Sequence, residues 1–81
     1  MKLKKNVAIS ENGFVFDPST GDSFSLNAVG TVIINMMREE KNEIDIKSKI
    51  LEKYDVEEEV FERNFLDFVS MLDHYKLIEA E

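Results

Sequence analysis

The 81-residue chain has no cysteine, no tryptophan, one proline, three glycines and one histidine. Without cysteine there can be no disulfide staple, no thiolate metal site and no thiol nucleophile, so packing alone must hold the core. So little proline and glycine argues against a disordered or low-complexity chain. No apolar run approaches the roughly 18 residues that cross a bilayer. The opening Met1-Lys2-Leu3-Lys4-Lys5-Asn6 is basic, but no apolar signal core follows it. The expectation is a cytoplasmic protein without a membrane partner. Positive charge is scarce: 10 Lys and Arg stand against 17 Asp and Glu, a net charge of −7. That balance argues against nucleic acid, whose phosphates select a basic face. The Lys2, Lys4 and Lys5 cluster is either a mobile arm or a contact for an acidic partner.

What remains is ordinary globular material, with 43% of residues apolar and 33% charged. A chain of this length makes one domain, taken as residues 1–81. Val7 and Ile9 alternate with Ala8 and Ser10 as a weak first strand. Asn12-Gly13 favours a tight hairpin. Phe14 to Asp17 reads as the second strand, followed by the turn Asp17-Pro18-Ser19-Thr20-Gly21. Ser23 to Leu26 reads as the third, with Phe24 and Leu26 on one face and Ser23 and Ser25 on the other.

The pattern then turns helical. Asn27 is a candidate N-cap for a first helix carrying Val29, Val32, Ile33, Met36 and Met37 and ending near Glu39 or Glu40. Asp45 is a candidate cap for a second, with Ile46, Ile50 and Tyr54 at four-residue spacing. Glu57 to Glu59 suit the positive end of a third, which runs from about Glu57 to Tyr75 or Lys76. The order βββααα, with a tight turn between the last two helices, predicts an α+β fold: a winged helix-turn-helix-like unit with a three-stranded antiparallel sheet followed by three helices.

On a wheel of about 100° per residue, the third helix has an apolar arc covering about half the circle, wider than one core stripe needs. A small domain can use such a face to bury sheet and helices together. Alternatively, the flank Val60, Asn64, Phe68 and Met71 stays open as a groove. If the third strand is an edge, its free N–H and C=O groups can accept another strand. Asp22, Ser23 and Ser25 blunt that edge only weakly. The candidate peptide-binding set is therefore Asp22, Ser23, Phe24, Ser25 and Leu26 with Val60, Asn64, Phe68 and Met71. The same edge could pair with a second copy, which leaves a dimer open.

Catalytic and metal readings find little support. His74 is alone, near the end of the third helix, which favours a helix-end role over metal. Asp17 and Asp22 lack the further acidic ligands of a calcium loop. Ser23 and Ser25 have no histidine base nearby in sequence. Met36, Met37 and Met71 suit gap-filling in the core better than an adaptable surface. No cofactor is expected. A winged-helix regulator would read DNA with basic side chains on its recognition helix, but the third helix shows Glu57, Glu58, Glu59, Glu62, Asp67 and Asp73 beside a single Arg63. A scaffold subunit that only stabilises an enzyme is the remaining alternative.

Several short motifs occur in a telling order: Asp17-Pro18, Leu26-Asn27, Gly30 and Ile33, then Ile46, Ile50 and Tyr54-Asp55, then Phe68, Leu72 and Leu77-Ile78. In this the chain resembles the PqqD family, the small peptide chaperones of pyrroloquinoline quinone biosynthesis, and more broadly the recognition elements for ribosomally made precursor peptides. It departs at Asn64, where the family often has aspartate, and at Lys76, where it often has glycine. The resemblance implies a non-catalytic domain that binds a precursor's leader as a strand added to the third strand and lying against the third helix. The domain would then present the peptide to a modifying enzyme, often a radical S-adenosylmethionine enzyme.

Overall fold

A computed structural model describes residues 2–79. Its elements are β1 (Lys2–Leu3), β2 (Ala8–Ile9), β3 (Phe14–Phe16), β4 (Ser23–Ser25), α1 (Ala28–Arg38), α2 (Glu43–Lys53), α3 (Glu58–His74) and β5 (Ile78–Glu79). The expected meander is present as an antiparallel sheet in the order β2-β3-β4. Its register pairs Ala8 with Phe16, Ile9 with Val15, Phe14 with Ser25, Val15 with Phe24, and Phe16 with Ser23. Three helices follow, as the sequence pattern requires. The strands are shorter than the alternation implied, and the third strand of the sequence is β4.

Two strands were not anticipated. β1 and β5 pair antiparallel, Lys2 with Glu79 and Leu3 with Ile78. Each has two residues, too few for any periodicity to register. The basic opening is thus fastened at Lys2 and Leu3, and Lys2 also pairs with Glu40 at 3.1 Å. That hydrogen bond raises the Lys2 pKa above its ordinary value, with the Glu40 charge adding to it.

The turns follow from their residues. Gly13 has φ 86° and Gly21 φ 82°, the left-handed region that glycine enters without steric cost. At Gly13 an added Cβ would lie 2.1 Å from Thr31 Oγ1 on α1, whereas at Gly21 it would meet nothing within 4 Å. Asp17 is buried and bonds within its own turn, its Oδ1 accepting from the Ser19 N–H at 2.9 Å.

Asn27 caps α1, its Oδ1 accepting from the Gly30 N–H at 2.8 Å. The cap of α2 is Asn42 rather than Asp45. Asn42 Oδ1 accepts from the Asp45 N–H at 2.8 Å, and Asp45 sits in the first turn, where its charge faces the positive helix end. α3 starts at Glu58 and ends at His74, one residue inside each expected bound.

α1 and α3 end alike. The Lys41 N–H donates to the Met36 carbonyl and the Glu40 N–H to Met37; the Leu77 N–H donates to Leu72 and the Lys76 N–H to Asp73. Both are Schellman closures with a left-handed residue at the turn, here Glu40 at φ 62° and Lys76 at φ 58°. Lys76 thus stands where glycine is the cheaper residue. The closure turns Leu77 inward, beside Leu72 in a core that also holds Val15, Ile34, Ile46, Ile50, Phe61 and Phe65.

Thermal unfolding checks this reading. Gly21→Ala should cost about 1 kcal/mol for its backbone alone, and Gly13→Ala distinctly more because Thr31 must also move. Lys76→Gly should raise the midpoint by a few degrees, relieving about 1 kcal/mol of left-handed strain.

Candidate functional site

The sheet has two edges, and they differ. On β2 the outward carbonyl of Ile9 accepts from Arg38 Nη1 at 2.8 Å, so a side chain of α1 already takes one acceptor of that edge. On β4 the ladder fixes which groups point where. The Asp17 N–H donates to the Asp22 carbonyl and the Leu26 N–H to the Gly13 carbonyl. Residues of the same parity share a direction in a strand, so the backbone groups of Asp22, Phe24 and Leu26 face β3. Those of Ser23 and Ser25 face outward. Among the described residues no strand lies beyond β4 and no backbone group bonds to Ser23 or Ser25 there. Two N–H and two C=O groups are left for a partner.

The side chains of β4 divide the same way. Ser23 and Ser25 are exposed, while Phe24 and Leu26 are half-buried against the core. Phe24 packs on Tyr75 at the end of α3, ring centroids 4.6 Å apart and tilted by 58°. Asp22 belongs to the turn: its N–H donates to Thr20 Oγ1 at 3.2 Å, and its Oδ2 accepts from that hydroxyl at 3.1 Å.

From Tyr75 back along α3, Met71, Phe68, Asn64 and Val60 follow about one turn apart. Met71 and Phe68 are half-buried against the core, Asn64 is exposed, and Val60 is half-buried outside the core cluster. Asn64 and Phe68 line a cleft of about 360 Å³ with Asn27, Val29, Gly30, Ile33, Tyr54, Val56, Phe61 and Phe65, among others. Gly30 makes this possible, because a Cβ there would lie 3.4 Å from Phe68 Cε1 and 3.2 Å from Asn27 Oδ1. Asn27, one residue past Leu26, stands at the wall of the cleft. The cleft thus begins two residues past the end of β4. Val60 and Met71 lie outside the cleft, and Leu26 borders a separate cavity of about 740 Å³ beside α1 and α2. Tyr75 adjoins Phe24, and Gly30 and Asn27 line the cleft, but none of the three was among the expected residues. Tyr75 could have been found, since it sits on the apolar arc of the helix.

The polar side of α3 is unsuited to DNA. Glu58 and Glu62 are held by Lys47 of α2, which reaches Glu62 at 2.8 Å. The hydrogen bonds to Glu58, then to Glu62, raise the Lys47 pKa above its ordinary value. A cation with a raised folded pKa contributes below its unfolded value and is lost only as pH climbs past the folded one. Lys47 therefore keeps its charge at neutral pH.

Residues 13–78 match the family described as coenzyme PQQ synthesis protein D (PqqD). The chain belongs to the PqqD family. It also superimposes on TbiB1 in complex with the TbiA(beta) leader peptide, at 30% identity and a TM-score of 0.89, over 100% of this chain and 98% of that one. A lasso peptide synthetase B1 complexed with the leader peptide matches at 17% identity and a TM-score of 0.84, over 98% and 96% of the two chains, and speaks for the fold. No curated protein matches the chain in sequence. PqqD membership agrees with the family motifs seen in the sequence.

Amide hydrogen exchange tests the direction of the ladder. In the free protein the Ser23 and Ser25 amides should exchange quickly and those of Phe24 and Leu26 slowly. Slow exchange at Ser25 would mean that the edge is already occupied.

Proposed function

We propose that this PqqD-family chain binds the leader of a ribosomally synthesised precursor peptide as a strand on β4 and delivers it to a modifying enzyme. The observation that carries the reading is the outward backbone of Ser23 and Ser25, beside a cleft that begins at Asn27 and is lined by Asn64 and Phe68. Main-chain bonds to the edge supply affinity and the α3 flank supplies side-chain selection, the two parts of recognition by strand addition. The TbiB1 complex supports the choice of a leader as occupant. Phe24, Leu26, Val60 and Met71 complete the proposed surface, with Asp22 holding the turn at its start.

The groove offers backbone amides, one carboxamide and apolar side chains, which bind and orient a peptide and do not transform it. The role is therefore a non-catalytic one, in the cytoplasm where precursors are made, with a radical S-adenosylmethionine enzyme as one class of recipient. Among the described residues no helix is long and apolar enough to cross a membrane.

Ser25→Pro is the direct test. It removes an outward donor and no ladder bond, and edge strands tolerate proline. The unfolding free energy should change by no more than about 1 kcal/mol, while affinity for the leader encoded beside this chain falls by about tenfold or more. Unchanged affinity in the folded variant would sink strand addition.

A further inference from the structure

In β3 the larger side chains are on the unexpected side. Val15 and Asp17 turn inward and are buried, while Phe14 and Phe16 turn outward, 49% and 38% exposed. The outer face of a small antiparallel sheet is ordinarily polar. Here two aromatic rings occupy its central strand. Their cross-strand neighbours are small and exposed: Ala8 and Ser23 flank Phe16, and Ser25 flanks Phe14. The rings therefore stand above low ground on both sides, two exposed aromatic groups side by side on one face of the sheet.

The difference between the two edges selects the occupant. On the β2 side, Arg38 takes the Ile9 carbonyl. On the β4 side, an added strand would lie about 4.8 Å from β4, hence about 10 Å from β3. Side chains of that strand on the Ser23 and Ser25 face would have only two hydroxymethyl groups between them and the phenylalanines. Two large side chains leaning together across that gap come within the roughly 4.5–7 Å of an aromatic pair. The two rings are thus continuous with the edge that takes the peptide.

We infer that Phe14 and Phe16 form a second side-chain subsite for the bound leader, on the face of the sheet opposite α3, and that it takes a bulky apolar residue, aromatic by preference. This rests on the strand-addition reading. It specifies the leader further: the residue that fills the subsite is adjacent in sequence to one directed at α3, so the bound strand carries neighbouring apolar residues, one for each face. Reading both faces gives selectivity to an edge that offers only two N–H and two C=O groups.

The probe is the fluorescein-labelled leader of the precursor encoded beside this chain. The double variant Phe14→Ser, Phe16→Ser should bind it roughly tenfold more weakly, whereas Ser25→Pro should lose it. On the unaltered protein, isotope-filtered nuclear Overhauser effects should connect the Phe14 and Phe16 rings to one leader side chain, whether or not the double variant folds. Full affinity in the double variant beside a Ser25→Pro variant that no longer binds overturns the subsite and leaves strand addition standing. Full affinity in Ser25→Pro removes strand addition and the subsite with it. Ring shifts that grow with protein concentration alone, and not with leader, assign the face to a second copy and overturn the inference.

Discussion

The pairing of Val15 with Phe24 sets the direction of every other group on the sheet. Because those two residues exchange their backbone bonds, Ser23 and Ser25 must present theirs to the outside. The same pairing sends Val15 and Phe24 to the inner face and Phe14, Phe16, Ser23 and Ser25 to the outer one. A slip of one residue would reverse both arrangements. The register is held at each end by a turn glycine, one of which fits only because it lacks a Cβ beside Thr31. The proposed binding surface and the fold therefore share one constraint.

The second element is the placement of α3. Its length lets the C-terminal end meet β4 through Tyr75 and Phe24, while its middle packs on α1 through Phe68 and Gly30. The left-handed closure at Lys76 then returns the chain inward, so that Leu77 is buried and β5 can pair with β1. One turn before the Phe68 contact, Asn64 is exposed. An edge strand alone would pair with almost any extended chain; a helix beside it adds selection.

Much of this was legible in the residues. The meander showed through Asn12-Gly13 and the Asp17–Gly21 turn, since turn chemistry is local. The helices showed through four-residue spacing, while of the flank read from the wide apolar arc only Asn64 and Phe68 line the cleft. What stayed hidden depended on tertiary contacts. Asn42 and Asp45 are both acceptable caps, and only the helix start decides between them. β1 and β5 are too short to carry a pattern. The outward turn of Phe14 and Phe16 could not be read from alternation, which gives the period of a strand but not which face is buried when Val15 and Asp17 compete with phenylalanine. The capped Ile9 carbonyl depends on Arg38, 29 residues away.

Peptide chaperone and winged-helix regulator share an architecture, and here they part on surface chemistry. α3 faces solvent with carboxylates, two of them tied to Lys47, while the sheet edge offers free backbone. The most direct measurement is a nuclear magnetic resonance titration of the labelled protein with the leader encoded beside it, run in parallel with duplex DNA. Leader binding should shift Ser23 to Leu26 and the Asn64–Phe68 stretch of α3, with DNA silent. Shifts produced by DNA on α3, with the β4 amides unmoved by leader, would contradict the central claim.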